Sequence, residues 1–348
     1  MSGLSVGGYG EVALSRNFYS DNVYRYSNAG KYKDDPSHGR FDIPHAVIYL
    51  NYEFGSGWRM GTEIEFEHTG TGVSFEKEYE ESGEWEQEVE KGGEVELEQF
   101  WLENTIKPWL NIRAGHIVVP VGLNNSAHEP LNFFTVYRPE GENTILPSTW
   151  HETGVSLWGR TKHWKYQLQF LPGLDAMNFS RDYWIQRGAH SAFEFKVANK
   201  YAGALRIDNY SVPGQLTYGH LGDAVEVYAL PGRQSKTSPF SQDHVGKAAI
   251  ATGVEAGYDF FSQIAQTRAR HQKMYVFGRY EYYNSYIPDK NKEPEYPYTQ
   301  RHRMAVGLNY FPIPQIVVKA EYSKRFLKAQ YNDEPSISIG IAYQGFFK

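Results

Sequence analysis

The sequence predicts an all-β chain folded as a transmembrane antiparallel β-barrel. Three observations carry that expectation: an amphipathic closing strand, connections of alternating length, and aromatic enrichment without a long apolar run. In 336–347, Ile337, Ile339, Ile341, Tyr343 and Phe347 fall on one face of an extended segment, with Ser338, Gly340, Ala342, Gln344 and Phe346 on the other. Lipid outside and water inside demand that period of two. Of the 348 residues 41% are hydrophobic, and no run approaches the roughly 18 apolar residues of a membrane helix, which excludes a helical membrane protein. The 27 Tyr, 20 Phe and 8 Trp weight the composition toward rings that sit at headgroup level.

Taken in order, fourteen segments alternate in polarity between turn signals: 4–17, 42–54, 58–69, 94–104, 110–120, 152–160, 164–171, 189–198, 201–222, 247–260, 273–284, 301–310, 315–326 and 336–347. The phase is clearest where Ala46, Ile48, Leu50 and Tyr52 alternate with His45, Tyr49, Asn51 and Glu53. It repeats where Met60, Ile64 and Phe66 alternate with Arg59, Glu63, Glu65 and Glu67. A Glu on every second residue marks a wet face. Short links (55–57, 107–109, 161–163, 199–200, 312–314) alternate with long ones (18–41, 70–93, 121–151, 172–188, 223–246, 285–300, 327–335). That is the pattern of short periplasmic turns and long extracellular loops. The link 261–272 is longer than its short siblings and reads as a small helix or an extended hairpin. With both termini on the periplasmic side the count must be even, which gives fourteen. Sixteen is the alternative, if 224–230 and part of 215–222 form a further hairpin. The whole chain, 1–348, is then one barrel domain, with the first and last strands paired to remove both sheet edges.

Two loops carry chemistry. Segment 121–151 holds Phe133, Phe134, Tyr137, Ile145, Leu146 and Trp150, too apolar for a simple surface loop, and is expected to fold into the lumen. Its polar members, His128, Glu129, Arg138, Glu140, Glu142, His151 and Glu152, would line the constriction. Segment 71–93 is an acidic extracellular loop. As a solvated charge run it needs no ligand, but Glu78, Glu80, Glu84 and Glu86 make it a weak candidate for divalent cations shared with lipopolysaccharide. No other metal and no cofactor is expected. The lumen wall reads as Arg59, Arg113 and Lys319 against Glu53, Glu63, Glu65, Glu67, Glu94, Glu96 and Glu98. Two neighbouring acidic rows are costly unless cations or wall arginines neutralise them. A general or weakly cation-preferring passage is the expectation.

Cysteine is absent, so disulfides, thiolate metal sites and Cys nucleophiles are excluded, and the absence suits an oxidising compartment. The chain opens on strand-like sequence, as a mature exported chain whose signal segment has been removed would. No nucleophile elbow, HExxH or phosphate loop is present, which argues against an enzyme. Net charge −6 without a basic stripe argues against nucleic acid.

Arg113-Ala114-Gly115-His116, then 119–124 (VPVGLN), His128-Glu129-Pro130 and Tyr137-Arg138-Pro139-Glu140, together with 253–263 (GVEAGYDFFSQ), resemble the phosphate-selective-porin superfamily as found in Bacteroidota. The resemblance spans roughly 94–173 and 247 to the C-terminus. It implies an outer-membrane porin, usually a trimer, with one pore per subunit passing small hydrophilic solutes. The chain departs from the pattern where 213–222 is short for two further crossings, and where Lys348 follows the terminal aromatic. The other readings open at this point are a docking barrel of a larger envelope complex and an anion- or saccharide-selective porin.

Overall fold

The computed structural model describes residues 3–35, 37–78, 86–189, 201–210, 224–229, 245–288 and 295–347. Its strands are β1 (Gly3–Asn17), β2 (His38–Asp42), β3 (His45–Gly55), β4 (Trp58–Glu78), β5 (Glu86–Lys107), β6 (Leu110–Val118), β7 (His151–Arg160) and β8 (Trp164–Pro172). They continue with β9 (Tyr201–Asn209), β10 (Ala224–Ala229), β11 (Ala248–Asp259), β12 (Lys273–Ile287), β13 (Gln300–Ile313), β14 (Ile316–Phe326) and β15 (Glu334–Phe347). Fourteen of them form one antiparallel path, β10-β9-β8-β7-β6-β5-β4-β3-β1-β15-β14-β13-β12-β11, with the short β2 paired only to β1. The first and last strands of the chain are neighbours, from Val6 opposite Phe347 to Asn17 opposite Ser336.

The expected faces are present. On β15, Ile339 and Ile341 are about half exposed on the outside (48% and 49%), whereas Ser336, Ser338 and Ala342 are buried inside. Leu97, Phe100, Leu102, Val306, Leu308 and Tyr322 continue the exposed apolar belt on other strands. With no water to satisfy them in a bilayer, backbone amides must pair along every strand, and the ladder supplies those partners. Glycines let the strands crowd: a Cβ on Gly8 would lie 2.0 Å from the Val47 carbonyl oxygen. Turn residues Gly55, Ser56 and Gly57 all have positive φ, closing the tight β3–β4 link.

Two segment assignments change, and a third lies almost wholly outside the described residues. Ala189 lies outside any strand and 190–198 lies outside the described residues, while β8 pairs directly with β9, Pro172 opposite Tyr201. The segment 201–222 is strand only as far as Asn209, and 211–222 is not described. The fourteenth strand is β10, the stretch that the sixteen-strand alternative would have used. Among the described residues the path therefore counts fourteen strands, with different membership. Where 71–93 reads as a loop, the backbones of β4 and β5 stay paired from Gly72 opposite Gly92 to Glu78 opposite Glu86. Glu80 and Glu84 lie outside the described residues. The link after β11 is helical: a 3₁₀ turn, Phe260–Gln263, then the helix Ala265–Ala269.

Candidate functional site

The segment between Val118 and His151 crosses the inside of the sheet. Its neck is closed by Asn125, whose Nδ2 donates to the carbonyls of Val119 (2.7 Å) and Trp150 (3.1 Å) and whose Oδ1 accepts from the Trp150 amide. Helix α1 (Glu140–Ile145) lies within it. Wall residues from distant strands hold the loop: Arg206 of β9 donates to the Gly122 carbonyl at 3.1 Å, Glu281 of β12 accepts from the Gly141 amide at 3.0 Å, and Glu321 of β14 accepts from the Val136 amide at 2.7 Å. Lys319 is buried with Nζ donating to the carbonyls of Pro130, Phe133 and Thr135 at 2.5, 2.8 and 2.9 Å, above the Phe133 ring. Walls that reach one loop from so many strands enclose it, so the sheet is a barrel around a lumen. Phe134 adds an apolar anchor, stacked on Phe277 and packed with Tyr275 and Phe311.

The charges of the loop are complementary to the two halves of the wall. On the acidic half, a register shift opposite Glu63 and Ile64 leaves Glu98 as the extra residue of a β-bulge. His128 Nε2 lies 3.6 Å from both Glu63 Oε1 and Glu98 Oε1. Burial pushes the His128 pKa down, but Glu98, Glu63 and Glu129 outweigh it and push it up to about 10. Arg138 answers Glu65, Glu98 and Glu11: burial opposes its charge, and these neighbours with Tyr9 raise its pKa above the usual value. On the basic half, Glu140 accepts from Arg325 at 2.5 Å, lies 3.1 Å from Arg303, and receives the Tyr283 hydroxyl. Burial alone would raise its pKa; Arg325 and Arg303 dominate and hold it down at about 2. Arg303 also meets Glu281 (3.2 Å) and Glu321 (2.7 Å), and Arg325 meets Glu334 (2.9 Å).

The seven residues expected at the constriction therefore divide. His128, Arg138 and Glu140 sit across the lumen. Glu129 accepts from Asn132 (2.7 Å) within the loop. Glu142 takes the amides of Leu123, Asn124 and Asn125 at 3.0–3.1 Å, so it shapes the loop. Gly122, at φ +89°, makes room for that carboxylate, since a Cβ there would stand 2.1 Å from Glu142 Oε1. His151 and Glu152 belong to β7: His151 contacts His116 (2.5 Å) and Glu96 (3.3 Å), and Glu152 is buried. Of the expected wall residues, Glu65 faces Tyr9, Glu67 lies 3.8 Å from His45, and Arg59 and Arg113 both clamp the buried Glu103, Arg113 at 2.7 Å. No side-chain description covers Glu78, Glu86 or Glu94.

The loop separates two polar cavities. The outer one, about 1020 Å³ on the side of the long connections, is bordered by Arg25, Arg40, Arg138, Arg181, Arg301, Arg303 and Arg325 against Glu140, Asp182, Glu295 and Glu321, with Tyr24, Tyr26, Tyr296, Tyr298 and Tyr331 among its rings. The inner one, about 410 Å³, is bordered by Asn51, Glu53, Arg59, Trp101, Arg113 and Phe346. The basic half of the wall escaped the reading of the sequence, although the outward phase of Met304, Val306 and Leu308 implies that Arg303 points inward.

No family model matches the chain. An uncharacterized protein of Aquifex aeolicus (strain VF5) is 27% identical over 373 residues, covering 95% of this chain and 78% of that protein. Among solved structures the chain is similar to OprB of Pseudomonas putida (9% identity, 99% of this chain and 94% of that one, TM-score 0.49). It is also similar to an anion-selective porin from Comamonas acidovorans (10% identity, 99% and 100%, TM-score 0.44). OpdK of Pseudomonas aeruginosa, solved with vanillate, is a third (9% identity, 99% and 99%, TM-score 0.43).

Proposed function

We propose that the chain is an outer-membrane porin through which small hydrophilic solutes and ions diffuse passively. The observation that carries this is a loop, pinned to both halves of the wall, that crosses a polar lumen inside an apolar belt and, among the described residues, leaves a cavity on either side. A barrel of fourteen strands lies between those whose interior side chains fill and those with wide aqueous channels, so one inward loop suffices to set the size limit. A docking barrel needs no such narrowing. The porins among the similar structures agree with this reading, and the motifs that resemble the phosphate-selective-porin superfamily supply the loop's own pins, His128, Arg138 and Glu140. A trimer belongs to the same proposal.

Against the weak cation preference expected from the acidic rows stands the balance of charges in the lumen. Glu63, Glu65 and Glu98 are answered by His128 and Arg138, and arginines outnumber carboxylates around the outer cavity. A weak anion preference follows. In planar bilayers under a salt gradient, the reversal potential is expected on the anion side, moving toward the cation side in Arg181→Gln and Arg40→Gln. A barrel that passes no current overturns the channel reading; firm cation selectivity overturns only the preference.

A further inference from the structure

We propose that Glu63, Glu98 and His128 bind a first-row divalent cation, with Zn²⁺ the best match, that clips the lumen loop to the β4–β5 wall. The three side chains are buried, and one donor atom from each lies within 4.8 Å of the others. Glu63 Oε1, both oxygens of Glu98 and His128 Nε2 have no hydrogen-bond partner. Burying two carboxylates with three of their four oxygens in that condition is costly, because those oxygens lose water and gain no donor. A dication would balance both.

The distances suit an ion between them. Two ligands about 2.1 Å from a tetrahedral metal stand roughly 3.4 Å apart, close to the 3.6 Å from His128 Nε2 to each carboxylate and too long for a hydrogen bond. The groups behind the donors are already in place. His128 Nδ1 lies 3.0 Å from the Asn125 carbonyl, which can only accept, so Nδ1 carries a proton and Nε2 faces the carboxylates. Gln99 Nε2 donates to Glu63 Oε2, leaving Oε1 for the cation, and Trp101 Nε1 holds Gln99 Oε1 at 3.3 Å. The bulge at Glu98 adds the second carboxylate. Imidazole nitrogen with carboxylate oxygen and no thiolate suits Zn²⁺ and, less tightly, Mn²⁺. The other nearby group, His45 with Glu65 and Glu67, differs: His45 Nδ1 is engaged by Glu11 at 2.6 Å and Glu65 by the Tyr9 hydroxyl.

The test uses the full chain refolded in detergent, stripped with a chelator and titrated calorimetrically with ZnCl₂, with bound metal counted after gel filtration. One Zn²⁺ per chain is expected at micromolar concentration. Glu98→Gln and His128→Gln should weaken binding on the order of a hundredfold, and Gln99→Ala about tenfold, while His45→Gln leaves it unchanged. The temperature at which the unheated gel band converts to the unfolded one should rise with Zn²⁺ in the unsubstituted chain. No binding even at millimolar Zn²⁺ would mean that the imidazolium proton alone stands between the carboxylates, and overturns the proposal. Binding indifferent to both ligand substitutions overturns it as well. Should those variants fail to fold, X-ray absorption on the Co²⁺-loaded unsubstituted chain decides: an imidazole with oxygen neighbours is expected, and a shell without imidazole refutes the site.

Discussion

Glu140 shows how one carboxylate on the loop becomes dependent on the far wall. Its charge is held by Arg325 and Arg303, which set its pKa at about 2 against an ordinary carboxylate value of 4.5. A depressed folded-state pKa contributes stability that is fully present above 4.5 and is lost as pH falls toward 2, a contribution of up to roughly 3 kcal/mol by the shift alone. The loop should therefore loosen between pH 4.5 and 2. Current noise in bilayers reports that loosening, and Glu140→Gln should show the acid behaviour already at neutral pH; identical noise at pH 7 and pH 3 in the unsubstituted chain would contradict it. That His128, Arg138 and Glu140 need charged partners was legible in the sequence, because a charged residue within an apolar loop is costly without one. Glu142 takes backbone amides some eighteen residues away, partners that no side-chain pattern announces.

At the scale of the element, the period of two carries most of the information. It gives β3, β4 and β15 their faces directly, and the change of outward phase from Val95 and Leu97 to Phe100 and Leu102 records the bulge at Glu98. The acidic stretch of β4 and β5 hid its strands, since Glu and Lys have low β propensity and only cross-strand pairing keeps them extended. Of segment 189–198 only Ala189 lies among the described residues, and β8 takes β9 as its partner. The lipid face can be tested on the closing strand. Ile339→Arg should cost about 2–4 kcal/mol of folding stability near the bilayer midplane, whereas Ser338→Ala on the lumen side should cost well under half of that. Urea titrations of refolding into lipid vesicles measure both, and equal costs would mean that the faces are assigned wrongly.

For the whole molecule, the paired terminal strands, the fourteen-strand path of the described residues and the loop drawn across the lumen describe one device, in which a wall of two electrostatic halves clamps a segment carrying the opposite charges. The even count was legible because loop lengths alternate; the charge of the passage was not, because Arg303 and Arg325 act through partners brought together only by folding. Lys319 is the test point, since its ammonium holds three loop carbonyls at once. The most direct measurement of the central claim is liposome swelling with neutral sugars of rising size, run on the unsubstituted barrel and on Lys319→Met. Swelling with monosaccharides that ends at tri- or tetrasaccharides, and a larger limit in Lys319→Met, is the expected result. No swelling with any sugar, or a size limit unmoved when the loop is released, would contradict a diffusion channel narrowed by this loop.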